Sequence, residues 1–261
     1  GFWPVFITAV GGILLTVWAV LFFGIVTGLI YADHKLIRFT KKLKKLINEA
    51  STIYIMGHAF SDLDSVGASY GLYYALRDNY NVKMVANKQN TLARTLVDFL
   101  RFSDKACKIY DYNEIKHTID ENSLLIVVDT HRPVIMDYKE MYDTIDNVVI
   151  IDHHRKTAYF KNEPKITYIE PAASSVSELM CEILEQVINP GDLPTVEANL
   201  IFSGITLDTK QFTKNTGVRT FGAALYLRSE GANPYEAQKL FRTSAEDFMR
   251  ESLFENNIQL C

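Results

Sequence analysis

Four short apolar runs recur between residues 50 and 155, and each has the length of one buried strand. They read TIYIMGH, VKMVAN, LLIVVDTH and VVIIDHH. Near-continuous valine and isoleucine runs are typical of parallel strands that are covered on both faces. Helix-like stretches alternate with them or follow them, at 64–79, 173–188, 194–207, about 218–230 and from residue 233 onward. This alternation predicts a doubly wound α/β fold with a mainly parallel sheet.

Three of the four runs lead directly into acids or histidines. The residues concerned are His58, Asp62 and Asp64 after the first run, Asp129 at the end of the third, and Asp152, His153 and His154 at the end of the fourth. In open α/β sheets, ligands bind in the crevice outside the carboxyl ends of the strands. We therefore expect these side chains to meet at one edge of the sheet. For Asp152, a helix-capping role is an equally good interpretation.

The types of these side chains indicate a metal site. Carboxylates and imidazoles suit divalent manganese, iron, cobalt or zinc. Asp62 and Asp64 are two residues apart, so a turn can direct them to different metal ions, and Asp129 is the natural bridge between two ions. A metal pair activates water and stabilises the attacking and leaving oxygens of an in-line displacement at phosphorus. The pattern therefore predicts phosphoester hydrolysis.

Composition excludes two other kinds of site. The cysteines, Cys107, Cys181 and Cys261, lack the C-x-x-C spacing of thiolate zinc sites and indicate reduced thiols. A formal net charge of −4 argues against a broad surface for duplex nucleic acid, which would be basic. A small nucleotide remains compatible with this charge, because a metal cluster can supply the positive potential.

The N-terminal segment predicts a membrane anchor. Residues 2–32 carry no charge, and this run exceeds the roughly 20 residues that span a bilayer. It also exceeds the apolar region of about 7–15 residues in a signal peptide. Six lysines and arginines follow within residues 34–49. By the positive-inside rule we expect a transmembrane helix in 1–33, a basic juxtamembrane helix or linker in 34–49, and a cytoplasmic domain at a cell membrane.

Several longer segments resemble one phosphoesterase family. MGHAFSDLDSVGAS, VVDTHRP, IDHHRK, YIEPAASSVSELMCEIL and DTKQFTKNTGVRTFGAALYLR are similar to motifs of the DHH phosphoesterase superfamily, and in particular of its membrane-anchored bacterial cyclic-di-AMP phosphodiesterases. The resemblance implies a DHH domain over residues 50–232. Members also carry a C-terminal DHHA1 domain with a GGGH-like motif. No such motif precedes Cys261, so we expect 233–261 to be a connector toward a truncated DHHA1 domain.

The resemblance also implies roles for single residues. It implies two manganese ions held by six side chains, the first by His58 and Asp62, the second by Asp64, His153 and Asp208, and both by Asp129. His154 would face the scissile phosphate without binding metal. Arg155, Arg132 and Arg219 are candidates for further phosphate contacts, and each is equally well interpreted as a surface arginine. Without the resemblance, Asp208 reads as a capping residue.

The implied activity is hydrolysis of cyclic-di-AMP to linear pApA, and two alternatives stay open. The same metal centre would serve an oligoribonuclease or pAp phosphatase that acts on short RNAs or nucleotides. A catalytically silent nucleotide-binding regulator is the third interpretation, although all six ligand positions are present. The expected partners are a cyclic dinucleotide or short oligonucleotide and a lipid bilayer, and a homodimer is compatible with the resemblance.

Overall fold

The structure is a computed structural model, and it describes residues 17–18, 20, 34–87, 108–155, 160 and 162–240. Its strands are β1 (Ile53–Met56), β2 (Val82–Val85), β3 (Ile109–Tyr110), β4 (Leu124–Val128), β5 (Asn147–Asp152) and β6 (Ile166–Ile169). They form one sheet in the order β3-β2-β1-β4-β5-β6, and every neighbouring pair is parallel. The predicted parallel sheet is confirmed, with β3 and β6 as additional strands.

The strand order creates a crevice between β1 and β4. The chain moves outward from β1 to β2 and β3, and then returns to place β4 on the other side of β1. At such a reversal the connections leave in opposite directions, and their loops separate at the carboxyl ends of the two central strands. The loops that carry His58, Asp62 and Asp129 follow these two strands, so the topology places these three predicted ligands at the crevice.

Helices cover both faces of the sheet. They are α1 (residues 34–49), α2 (Leu63–Arg77), α3 (Tyr112–Ile115), α4 (Lys139–Thr144), α5 (Val176–Val187), α6 (Thr195–Asp208), α7 (Val218–Ser229) and α8 (residues 234–240). Side chains of β1 alternate between the faces: Ile53 and Ile55 pack with α1, α2 and α5 to α8, whereas Tyr54 and Met56 pack with α3 and α4. This arrangement confirms the doubly wound architecture, and the predicted helices agree with the observed ones to within three residues.

Helix α1 belongs to the core of the domain. Its Phe39, Leu43 and Ile47 are buried in the larger hydrophobic cluster, while the intervening Lys41 and Lys42 are exposed. The segment predicted as a basic juxtamembrane helix or linker is thus an amphipathic helix, because its apolar residues recur at helical spacing among the cations.

The predicted membrane segment, residues 1–33, lies outside the described residues except for three positions. Val17, Trp18 and Val20 are helical and exposed. Within the described ranges, no helix combines the length and the apolar character that crossing a bilayer requires.

Helices α2 and α6 approach each other closely at a glycine. A Cβ atom on Gly67 would lie 2.8 Å from the backbone oxygen of Leu200. Overpacking of this kind typically costs about 1–3 kcal/mol, because backbone atoms must shift. We expect Gly67→Ala to lower the free energy of unfolding by that amount in urea titrations. Gly222→Ala, on helix α7, is the matched control, because a Cβ there meets no atom of the described residues within 4 Å. Equal destabilisation of both variants would contradict the packing argument.

Candidate metal centre

The loop after β1 carries the first group of candidate ligands. His58 directly follows Gly57, and Asp62 is the N-cap of α2. One oxygen of Asp62 accepts hydrogen bonds from the backbone N–H groups of Asp64 and Ser65, at 2.9 and 3.1 Å. Capping therefore fixes the orientation of this carboxylate and leaves its second oxygen for another partner.

Asp64 is held by a second helix that is distant in sequence. Its side chain is buried, and its two oxygens accept hydrogen bonds from the backbone N–H groups of Val176 and Ser177, at 2.8 and 2.9 Å. These residues form the first turn of α5, where unpaired N–H groups and the helix dipole favour a negative charge. Packing between α2 and α5 therefore positions this carboxylate.

Asp129 occupies the turn that directly follows β4. Its φ of 69° lies in the left-handed region, which aspartate tolerates better than most residues. The backbone N–H donates to the carbonyl of Ile151 at 2.9 Å, which holds the turn against β5. Its Oδ2 lies 3.3 Å from Nε2 of His58, and its Oδ1 lies 3.5 Å from Nε2 of His153. The strained turn thus places one carboxylate between two imidazoles.

The six predicted ligands form two adjacent groups with metal-ligand spacing. In each group, the ligand atoms lie within 4.8 Å of one another; one group is His58, Asp62 and Asp129, and the other is Asp64, His153 and Asp208. Nε2 of His153 lies 3.3 Å from Oδ2 of Asp208 and 3.9 Å from Oδ2 of Asp64. Since Asp129 also contacts His153, it touches both groups. All six predicted ligands converge, including Asp208 at the end of α6.

Charge at the site fits divalent cations. Burial and the neighbouring acids raise the pKa of Asp64 to about 7, the pKa of Asp208 to about 8, and the pKa of Asp129 well above its ordinary range. Burial lowers the pKa of His153 to about 4, so its imidazole stays neutral. Among the residues that the structure describes, the buried Oδ1 of Asp129 has no hydrogen-bond partner. Bound metal ions would neutralise the charge of such crowded carboxylates and would accept the free electron pairs of neutral imidazoles.

Asp152 lies behind this cluster, between two histidines. It is fully buried; its Oδ2 contacts Nδ1 of His131, and its Oδ1 accepts hydrogen bonds from Nδ1 and the backbone N–H of His154, at 2.8 and 3.0 Å. Burial alone would raise the pKa of Asp152, but these hydrogen bonds hold the pKa below its ordinary value. Sequence reasoning missed His131, although it stands two residues after Asp129 in the VVDTH motif.

The three predicted phosphate-binding arginines occupy different environments. Arg132 and Arg155 are exposed, in the loops that follow β4 and β5. Arg219, in the first turn of α7, donates to both oxygens of Glu182 at 2.7 and 2.8 Å, and its Nε lies 3.7 Å from the buried Glu178. These contacts join α7 to α5, so Arg219 has a structural role.

Removing the Arg219 side chain should affect folding more than metal binding. We expect Arg219→Ala to lower the free energy of unfolding by about 1–3 kcal/mol, because charged hydrogen bonds to Glu182 are lost and Glu178 loses its counter-ion. Urea unfolding and calorimetric Mn²⁺ titration measure the two quantities, with the exposed Arg38→Ala as control. Weaker substrate binding at unchanged stability would instead restore Arg219 as a phosphate ligand.

Comparison with known proteins identifies the family. The family model described as "DHH family, N-terminal domain" matches residues 52–205, and the chain belongs to this family. It is 37% identical over 214 residues to the cyclic-di-AMP phosphodiesterase GdpP of Geobacillus thermodenitrificans, covering 80% of this chain and 32% of that protein. It is 34% identical to the cyclic-di-AMP phosphodiesterase PdeA of Listeria monocytogenes, covering 85% and 34%. The chain thus spans about a third of these relatives.

A solved structure shows the same fold. The chain is similar to an exopolyphosphatase-related protein from Bacteroides fragilis, with a TM-score of 0.61 and 23% identity. The match covers 77% of this chain and 59% of that one. The mainly parallel sheet with helices on both faces is therefore the DHH fold.

Proposed function

We propose that this chain is a two-metal phosphodiesterase that hydrolyses cyclic-di-AMP to linear pApA. The observation that carries the proposal is the convergence of six ligand side chains into two groups that Asp129 touches. The relatives named cyclic-di-AMP phosphodiesterase support the substrate. The donor set contains only carboxylate oxygens and imidazole nitrogens, which suits manganese.

Each group of ligands would hold one metal ion. His58 and Asp62 would hold the first and Asp64, His153 and Asp208 the second, with Asp129 shared between them. When bound, two divalent cations supply an activated water and stabilise negative charge at phosphorus.

The residues beside the ligands would orient the substrate. The imidazole of His154 is 57% exposed at the edge of the cluster, where it can contact the scissile phosphate. Arg132 and Arg155 are exposed in neighbouring loops and add positive charge for the second phosphate of a cyclic dinucleotide.

The proposal includes a position at the cytoplasmic face of a membrane. It is supported by the uncharged run 2–32 and by the cations of α1 that follow it. Membrane fractionation of the whole chain, compared with a variant that starts at residue 34, tests this part independently of catalysis.

Hydrolysis of cyclic-di-AMP by the purified chain, in Mn²⁺ and in EDTA, tests the activity. Linear pApA and short oligoribonucleotides are supplied as competing substrates. Mn²⁺-dependent conversion of cyclic-di-AMP to pApA is the expected result. Preferential turnover of the linear substrates would move the assignment to an oligoribonuclease or pAp phosphatase, and metal binding without turnover of any substrate would leave a nucleotide-binding regulator.

A further inference from the structure

A row of three side chains, two buried and one exposed, leads from the interior to the edge of the metal centre. His131 is 1% exposed, and its Nδ1 contacts one oxygen of the fully buried Asp152. The other oxygen of Asp152 accepts from Nδ1 of His154 at 2.8 Å. His131 follows β4, whereas the other two residues end and follow β5, so the contact joins the loops of two adjacent strands.

The fold fixes the orientation of the His131 side chain independently of any ligand. Its loop contains a turn in which the backbone N–H of Arg132 donates to Oγ1 of Thr130 at 3.1 Å. Complete burial of the imidazole restricts its rotamer further. Because the side chain of Asp152 is equally buried, His131 limits where that carboxylate can lie.

Asp152 determines which ring nitrogen of His154 faces the cleft. Its carboxylate accepts from Nδ1, so Nε2 is left for a partner on the exposed side of the ring. Without this hydrogen bond, Nδ1 would be free to turn toward Oδ1 of Asp129, which is 3.8 Å away. Asp129, His153 and His154 also satisfy metal-ligand spacing. A freed His154 could therefore join the metal ligands.

We propose that His131 is a positioning residue that acts through Asp152 to keep His154 out of the metal shell and to present its Nε2 to the substrate phosphate. The inference rests on the proposed phosphodiesterase function for its kinetic consequences. Its structural part, the orientation of the His154 ring, does not depend on turnover. Outer-shell groups that orient the ligands of a metal site typically contribute about 10–100-fold to metal affinity or activity, and we expect the same range for His131 behind His154.

Two substitutions of His131 distinguish a role in positioning Asp152 from a role in filling space in the core. His131→Asn retains an N–H donor close to the position of Nδ1, whereas His131→Leu retains the volume and removes the donor. We expect His131→Leu to lower kcat on the cyclic dinucleotide by about 10–100-fold, and His131→Asn to stay within a few-fold of the parent chain. His117→Leu, at an exposed histidine of a short 3-10 helix, is the control.

The second measurement is independent of activity. Long-range proton–nitrogen NMR of the Mg²⁺-loaded chain reports which ring nitrogen of His154 carries hydrogen, with His154→Gln used for assignment. In the parent chain and in His131→Asn we expect the hydrogen of the His154 ring on Nδ1. In His131→Leu we expect that the ring no longer occupies this one protonation form. If the parent chain hydrolyses no phosphodiester, the proposed function fails while this spectrum still tests the inference. Unchanged His154 signals in His131→Leu, or equal loss of kcat in both His131 variants, would overturn it.

Discussion

Asp129→Asn is expected to lower kcat for phosphodiester hydrolysis by roughly a thousandfold. Asp129 touches both ligand groups, so the substitution would weaken the hold on both of the proposed metal ions and would remove the negative charge that they share. Metal ions contribute several kcal/mol of charge stabilisation in the transition state, and about 4 kcal/mol corresponds to three orders of magnitude in rate. The effect should therefore exceed that of any substitution behind the ligands.

Asparagine is the sharpest replacement because of the backbone at this position. The φ of 69° would strain alanine, whereas asparagine adopts the left-handed region readily. The fold should thus be retained. Initial rates and calorimetric Mn²⁺ titration then measure how the loss of one negative charge changes activity and metal affinity. Asp146→Asn, on an exposed residue between α4 and β5, is the matched control. If Asp129→Asn kept tight Mn²⁺ binding and near-parental kcat, a shared role for this carboxylate would be excluded.

Four of the six described strands and five of the six candidate ligands were predictable because both depend on local patterns. Runs such as LLIVV identify buried strands. The carboxyl ends of parallel strands lie at the same edge of the sheet, so acids at these ends were expected to lie together. β3 was not predicted, because Ile109 and Tyr110 are too few to show a period. Asp208 at the end of α6 was placed in the site by resemblance alone, since a helix end is compatible with capping.

Contacts between residues that are distant along the chain could not be predicted from the sequence. Asp64 accepts hydrogen bonds from residues more than 100 positions later in the chain. The residues around Asp64 do not indicate that the N-terminus of α5 is its partner. Arg219 was a candidate for phosphate binding because it is a cation in a family motif, yet it pairs with Glu182 across two helices. His131 was overlooked for the same reason, since its role depends on the pairing of β4 with β5.

The metal-free chain is expected to lose stability as pH rises from 6.5 to 8, and Mn²⁺ is expected to restore it. Asp64 and Asp208 have raised pKa values of about 7 and 8 in the folded chain, against an ordinary 3.8. In this pH window the unfolded chain has already released these protons while the folded chain still binds them. Stability therefore falls with rising pH until the folded groups have ionised. His153, with its pKa lowered to about 4, acts in the opposite direction only below about pH 6.5.

Bound Mn²⁺ should reverse this trend, because metal ions compete with protons for the same carboxylates and their affinity rises with pH. A ligand at a hundredfold its dissociation constant stabilises the folded state by about 2.7 kcal/mol per site, so the increase in Tm on adding Mn²⁺ should be larger at pH 8 than at pH 6.5. Thermal melts in EDTA and in Mn²⁺ at both pH values measure it. Asp208→Asn should flatten the pH dependence in EDTA, whereas Asp146→Asn should leave it unchanged. A Tm that is independent of pH in EDTA would show that the carboxylates are not electrostatically strained without metal, and would remove the physical argument for a cation at this edge of the sheet.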